Sequence, residues 1–544
     1  MKKTLLASML ALAVAGSALA QGYKDGIEYY KVDRLDNAKE LLERNLNAAG
    51  TNKAEAYYYL GQIALKQGDT AGATAYFDKG VAADQACALN YIGQAAVALK
   101  NGTNAKAFID QARKSAKKDC YVEMEIARAY YDADPVKNAK EIEKCVKNAR
   151  KWKSEDPNSF IFEGDMKADK KDWGGAASQY EWAFTYDPNN VEAYVKYANT
   201  YFNVVPEFAI NRLEEINAKQ PGNALVQREL AEKYYSDNQG GKAAEKYGEY
   251  IKNPNHFAQD EVRYVQLLFF GEKFVESYDL ATRLIAKLNP NDDNVFFMRR
   301  MQLYNKVEME DWAQAAADGD AFFATRVPKG ASFNVNDYTN YAEALAEVDR
   351  NEDAIKAYEA AAAINPNDID MQRMLSGVYA KAGQYLKAAE AYRRVVDNPE
   401  HKANDLYEMA VRYYNLAVTV KDNPAGFAAG LDSESLAKAL DFLYQVNEKV
   451  PGNVRIHNQI ARTLKLQEGE NKGNAAQAYK NLIALLDEKE DKSDYASYYV
   501  SAYNYLAQDA FNRGDKAAAK DYYIKWLEYD PDNTALRDYV KSLK

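Results

Sequence analysis

Residues 335–366 read VNDYTNYAEALAEVDRNEDAIKAYEAAAAINP, and the fold follows from this stretch. Tyr338, Tyr341, Ala342 and Leu345 precede a charged segment, and Ala354, Tyr358 and Ala361 follow it, closed by Pro366. Two helices meet in such a unit: the alanines let them cross closely, and the Tyr and Leu side chains fill the gaps left on either side. Proline cannot continue a helix, so Pro366 ends the second one. The same order of slots returns from Val500 as Tyr503, Leu506, Ala507, Ala519, Tyr523, Trp526 and Pro531. A third copy, from Ala54, has Tyr57, Leu60, Gly61, Ala73, Phe77 and Gly80.

The prolines keep the same period. Pro157, Pro188, Pro221, Pro254, Pro290, Pro328, Pro366 and Pro399 are spaced by 31, 33, 33, 36, 38, 38 and 33 residues. Several rungs share one local chemistry, as in Asp187-Pro188-Asn189-Asn190, Asn289-Pro290-Asn291-Asp292, Asn365-Pro366-Asn367-Asp368 and Asp530-Pro531-Asp532-Asn533. Each sets a turn and offers an N-cap to the next helix. With its Trp/Tyr, Leu-Gly, Ala, Phe/Tyr and Pro slots in this order, the chain resembles the tetratricopeptide-repeat family.

Counting by these slots gives about fourteen units, starting near residues 23, 54, 86, 120, 157, 191, 224, 258, 294, 335, 369, 403, 454 and 500. The expected fold is all-α, a right-handed superhelical solenoid in which each unit is half a core and buries its stripe against the next. Residues 21–533 are assigned to the solenoid, with a hinge or insertion near 415–436, and 534–544 to a helix capping the last apolar face. Apolar residues at 47% and charged residues at 28% suit amphipathic helices throughout and exclude general disorder.

Met1-Lys2-Lys3, the apolar run Leu5 to Ala15 and Ala18-Leu19-Ala20 have the form of a cleavable export signal over 1–20, with Gln21 as the first mature residue. That run is shorter than the roughly 20 residues needed to span a bilayer. The expected location is the periplasm, with secretion as the second candidate. Without Lys2 and Lys3 the chain has 68 basic and 80 acidic residues, a net charge of −12 that argues against nucleic acid as a partner. Residues 100–153 are the exception, with 14 Lys or Arg against 8 Asp or Glu. There Lys137, Lys140, Lys144, Lys147 and Lys151 form one cationic stripe, read either as a solvated outer face or as a dock for an acidic partner.

No catalytic, metal or cofactor site is expected. His256 and His401 fall in the matching turns Asn253-Pro254-Asn255-His256 and Asn398-Pro399-Glu400-His401, and His457 takes a packing slot. No metal-ligand, nucleophile-elbow or phosphate-loop spacing occurs. Cys120 should open one helix and Cys145 lie near the end of its antiparallel partner, so a bridge between them is geometrically allowed. The alternative is two small core hydrophobes, and Cys87 lies one repeat away.

Function is therefore expected on a surface. The resemblance implies that the first helix of each unit lines a concave groove that takes partner segments. In the doublets Tyr130-Tyr131, Tyr201-Phe202, Tyr234-Tyr235 and Tyr413-Tyr414 the second ring is turned by about 100° toward that side. Aligned with them are Met124 and Arg128, Val195 and Asn199, Arg228 and Glu232, and Tyr407, while Phe511 aligns with Asn504 and Gln508. These residues form the candidate partner groove; the alternative is that the rings pack on neighbouring first helices. Arg228 and Arg373 sit where the family's carboxylate-binding members need a base, but Glu232 and Gly377 replace the Asn that such members also need. One insertion stands out, because the Ala slot after Tyr413 comes 26 positions on, at Ala439, where regular units need 9. It carries Asp422-Asn423-Pro424-Ala425-Gly426-Phe427 and restarts a helix at Asp432 or Ser433, so a loop is expected there, used for binding or merely tolerated. The overall expectation is a non-enzymatic scaffold for proteins or peptide segments in the bacterial cell envelope. A carbohydrate-binding or exopolysaccharide-export module using the tyrosine face is the second reading, and an enzyme accessory subunit or cryptic enzyme the third.

Overall fold

Every regular element among the described residues, 22–422, 431–468 and 473–543 of the computed structural model, is a helix. The expected leader over 1–20 lies outside them, as do Asn423, Pro424, Ala425, Gly426 and Phe427 of the insertion. Fourteen helix pairs follow one another, from 22–31 with Leu35–Asn45 to Ala496–Asn512 with Lys516–Tyr529. The chain is an all-α repeat solenoid whose first helices open within four residues of the starts read from the slots. It divides into two compact units, Met1–Met301 and Gln302–Lys544, with the boundary inside the helix Asp293–Glu308.

The turn chemistry explains where helices begin. Asp156, Asn190, Asn223, Asp368 and Asn533 each accept from the backbone N–H three residues on, satisfying a donor that the first turn leaves free. Pro188, Pro221, Pro366 and Pro531 stand in the turns, but Pro157 is the first residue of Pro157–Asp169, so that rung opens a helix instead of following the end of one. Its missing N–H would have had no helical partner there.

Small residues set the approach of the helices. Phe77 is fully buried between two glycines, one in its own unit and one in the next. A β-carbon on Gly61 would stand 2.4 Å from its ring, and one on Gly93 2.3 Å. Gly164 faces Tyr180 in the same way, and Gly319 faces Tyr341. Polar ties between successive first helices repeat as well. Arg228 donates to Asp260 at 3.1 Å and Tyr250 to the same carboxylate at 2.6 Å. In the second unit Arg373 donates to Asp405 at 2.9 and 2.8 Å, joined by Tyr392 at 3.0 Å. Burial alone would raise Asp405, but Arg373, the Lys402 N–H and Tyr392 bring it down to about 2.

The first unit closes on its own amino-terminal helix. Residues 22–31 pack on Leu41 and Leu42 of their own pair and also reach across to the sixth, seventh and eighth. Asn255 donates to Asp25 at 2.7 Å, Asn223 to Glu28 at 2.6 Å and Arg34 to Glu229 at 3.0 Å. Lys31 lies 3.4 Å from Glu192, and the Tyr29 ring meets Phe257 edge-on at 5.4 Å. Glu28 is half-buried with its carboxyl turned inward. That burial, with Asp25 and Glu192 nearby and against Asn223 and Lys31, raises it to about 7.

Two expectations change in the structure. The insertion lengthens helices: Ala403–Asp422 has 20 residues and Leu431–Lys449 has 19, where the preceding pair has 13 and 12. Ala417 is fully buried, so the first helix runs on into the segment expected as a loop, while the second, from Leu431, opens within a residue of the expected restart at Asp432 and buries Leu436. The Cys120–Cys145 bridge is not formed, and all three cysteines are free. Cys120 Sγ instead addresses the carbonyl of Ala149 at 3.6 Å, one turn beyond Cys145. Cys145 sits 3.5 Å from Arg113 Nη2, and burial pushes its thiol up to about 12. At the carboxyl end, Thr534–Ser542 lays Leu536 and Val540 against Ala507, Ala510, Ala519 and Tyr523.

Two outcomes follow. Gly61→Ala gains about 1 kcal/mol of helix propensity but drives a methyl into a buried ring, an overpacking cost of about 1–3 kcal/mol. Urea denaturation should therefore find it destabilised, whereas Gly174→Ala, with open space around the new methyl, should be neutral or better. The folded unit also holds the Glu28 proton more tightly than the unfolded chain does. This group's contribution is therefore full below its unfolded value near 4.5 and is lost as pH rises toward about 7. The loss amounts to roughly 3 kcal/mol at most. The melting temperature of Glu28→Gln should pull ahead of the parent as pH is raised from 4.5 to 7.5, and a constant gap would contradict this.

Candidate binding cavity in the first unit

Where first helices face one another in the first unit, a cavity of about 320 Å³ opens. Its wall residues recur at helical spacing, so each helix presents one face: Tyr121, Met124, Glu125, Arg128, Tyr131 and Asp132 from Cys120–Ala133. Phe162, Asp165, Met166 and Asp169 come from Pro157–Asp169, and Glu192, Lys196 and Asn199 from Val191–Tyr201. The fourth side is the amino-terminal helix and the turn after it, with Tyr30, Lys31 and Asp33, while Lys66 and Tyr180 reach in beside them.

The polar groups pair off in a fixed pattern. Asp165 takes Lys196 on both oxygens at 2.8 Å, Arg128 at 2.9 Å and the Tyr180 hydroxyl at 2.9 Å. Burial pushes Asp165 up, yet Lys196 and Arg128 hold it below the usual carboxylate range. Glu192 is likewise lowered against its burial by Lys196 at 3.0 Å and Lys31 at 3.4 Å. Glu125 accepts from Tyr58 at 2.7 Å and lies 3.6 Å from Arg128, and Lys66 pairs with Asp33 at 2.5 Å. All four cations of the wall, Lys31, Lys66, Arg128 and Lys196, are thus paired. Of the six carboxylates, Asp132 and Asp169 have no cation partner among the described residues. The Tyr131 phenol is raised by burial and then by its hydrogen bond to Asp169.

Of the candidate groove residues, Met124, Arg128, Tyr131 and Asn199 come together in this cavity, while Val195 is fully buried in the core. The second rings Tyr131, Phe202, Tyr235 and Tyr414 are half-buried, each with a side chain of the next first helix against it. Phe162 meets Tyr131 edge-on at 5.9 Å, and Lys233 Nζ lies 4.9 Å over Phe202. Arg263 lies 4.4 Å over Tyr235, which also meets Phe270 at 5.2 Å, and Arg462 lies 5.5 Å over Tyr414. A cation over a ring face is favourable and costs no partner charge. Glu232 is held by Arg263 at 2.8 Å, and Arg228 and Arg373 are taken by Asp260 and Asp405. These two arginines therefore tie repeats together and are not free for a ligand carboxylate. In the second unit Tyr407 borders a smaller cavity of about 240 Å³ beside Val446, Val450 and Arg455. Phe511 is exposed next to Gln508, and Asn504 is half-buried.

Lys137, Lys140, Lys144, Lys147 and Lys151 are all exposed along or just before Ala139–Trp152, and Glu141 lies 3.8 Å from Lys144. The ring nitrogens of His256 and His401 bond the carbonyls of Asn253 and Asn398 at 2.7 and 2.9 Å, fixing the two turns alike. Among the described residues no group of three or more His, Cys, Asp or Glu is placed to hold a metal. No described helix is long and apolar enough to cross a membrane.

Sequence reasoning missed two features. Charged positions 125, 132, 165, 169, 192 and 196 repeat at helical spacing on the inner face, a pattern that composition presents as ordinary solvated charge. On the second helix Trp173–Tyr186, Trp173 and Trp182 are each 47% exposed, and Trp182 stacks on Tyr186 at 5.8 Å. Tryptophan outside the packing slots was the available signal.

A tetratricopeptide-repeat family profile matches residues 23–86 and 341–403, one stretch in each unit. No curated protein matches the chain. Among solved structures it is similar to the C-terminal part of a TPR repeat-containing protein from Cytophaga hutchinsonii, at 20% identity and a TM-score of 0.39, over 51% of this chain and 98% of that one. It is similar to a tetratricopeptide repeat protein from Parabacteroides merdae at 16% identity and a TM-score of 0.29, over 48% and 98% of the two chains. A third is yeast Tom70, at 14% identity and a TM-score of 0.28, over 93% and 98%. With its slots, its fourteen helix pairs and the two profile matches, the chain is a tetratricopeptide-repeat protein.

Proposed function

We propose that this protein is a non-enzymatic scaffold of the bacterial cell envelope that takes a segment of a partner protein in the first-unit cavity. Tetratricopeptide repeats in general mediate protein–protein interaction. The observation that carries the reading here is the cavity itself: a concavity framed by four first helices, with fixed charges and rings on its walls. Export rests on the basic start, short apolar run and Ala18-Leu19-Ala20 of the leader. No catalytic role is proposed.

A second reading keeps one specific observation. Trp173, Trp182, Tyr186 and Phe208 are exposed in the first unit, and Phe208 borders a hollow of about 510 Å³ with Tyr201 and Arg212. Aromatic faces of this kind suit sugar stacking. That reading requires Trp182→Ala to abolish glycan binding while leaving the fold intact.

Two measurements test the main proposal. N-terminal sequencing of protein recovered from the soluble periplasmic fraction should begin at Gln21; protein retained in the cytosol with Met1 in place would remove the envelope assignment. A photo-crosslinking residue at Asn199, on the exposed rim of the cavity, should capture a discrete polypeptide in cells that the same residue at Lys140 does not. Capture from Lys140 alone would move the partner to the outer basic stripe.

A further inference from the structure

We propose that the first-unit cavity recognises a basic side chain, an arginine or lysine carried by the partner segment, with its cation held at the rim between Asp132 and Asp169 and its stem against Tyr131. The inference rests on the interaction reading above and names the chemistry of its anchor.

Three observations lead to it. The first is charge: the walls hold six carboxylates against four cations, and every cation is already paired with a carboxylate of the wall. An acidic ligand would meet no free base and two uncompensated acids, whereas a cationic one would meet two acids without a partner. Loss of water in the mouth, with Glu125 and Asp169 nearby, raises Asp132 against the pull of Arg128 and Lys66. A group in that state gains most from an added positive charge.

The second observation is an unused hydroxyl. Tyr30 is 6% exposed and lines the cavity, and its hydroxyl has no hydrogen-bond partner among the described residues. Glu125, Arg128, Asp132 and Asp33, whose charges reach it, line the same cavity as Tyr30. A guanidinium or ammonium can donate to the Tyr30 oxygen, which a purely apolar occupant could not.

The third is the wall beside the acids. Tyr131 is held edge-on by Phe162, and Met166 lies on the same helix face as Asp169. Such a wall covers the methylene stem of a long basic side chain while its head stays with the carboxylates. Volume agrees: about 320 Å³ admits one long side chain with some flanking backbone and not a folded element.

The test uses the mature full chain and three pools of fluorescein-labelled random heptapeptides, fixed at the centre to Arg, to its uncharged isostere citrulline, or to Glu. Fluorescence anisotropy should show the Arg pool binding about tenfold or more tightly than the citrulline pool, with the Glu pool weakest. Asp132 and Asp169 are exposed, so the double variant Asp132→Asn, Asp169→Asn should keep its melting temperature and lose the preference. Tyr30→Phe, which removes only the hydroxyl, should weaken the Arg pool alone, and Lys144→Glu on the outer face should change nothing. Equal binding of the three pools, tighter binding of the Glu pool, binding by none of them, or an Arg preference that survives the double variant would each overturn the inference. So would binding of free arginine amide as tight as that of the pool, since the anchor would then not belong to a segment. None of these outcomes touches the broader reading, which stands or falls on polypeptide capture at Asn199.

Discussion

The structure depends on a steric constraint that recurs between neighbours: a large ring finds its room where a helix facing it carries glycine, as Gly61 and Gly93 do for Phe77, Gly164 for Tyr180 and Gly319 for Tyr341. Phe77, lodged between Gly61 and Gly93, is the plainest case. The contact is strictly local along the stack, so stability accumulates pair by pair, and no pair has a complete core alone. It also fixes how closely successive first helices approach. At that spacing a side chain on one reaches the next, which is why Arg228 finds Asp260 and Arg373 finds Asp405, 32 residues on in each case. The ring-in-glycine contact sets the distance, and the ion pairs and cation–ring contacts take up the polar surface left at it.

This ordering explains which parts of the molecule were readable from sequence. Helix pairs, caps and the unit count are encoded within about 34 residues, and period, turn chemistry and small-residue slots report them directly. The rotation that separates Tyr130 from Tyr131, or Tyr234 from Tyr235, is also local, and it placed the second rings on the inner side. What covers those rings is not local. The cation over Phe202 is Lys233 and that over Tyr235 is Arg263, each in the next unit, and neither lies in a slot that the repeat pattern defines. Tyr131 escaped such a lid because its neighbour in the next unit is Phe162, a ring that meets it edge-on and leaves space beyond.

The closure of the first unit was beyond the reach of any local signal. Arg34 and Glu229 are 195 residues apart, and so are Glu28 and Asn223. Their pairing requires the curvature accumulated over several helix pairs. The insertion misled on one side for the opposite reason: the helix restart near Asp432 was plain, but the helix before it continues through Ala417 because that residue finds a buried position in its own pair. Tertiary burial there outweighs the length expected of a regular unit.

Closure changes what an inner face of this kind can discriminate. In an open groove, arginines at repeated slots offer themselves to a ligand's carboxylates, and the face reads as basic. Here the arginines and lysines of the inner face are used in holding the repeats, and Lys31 in closing the ring of helices, so the face has no positive charge to spare. A chain that meets its structural need for counter-ions with its own cations leaves its selectivity to whichever acids the arithmetic of pairing leaves over. In the first unit those are Asp132 and Asp169, the acids at the rim. The bonds that make the repeats rigid thus also decide the sign of what the cavity can accept.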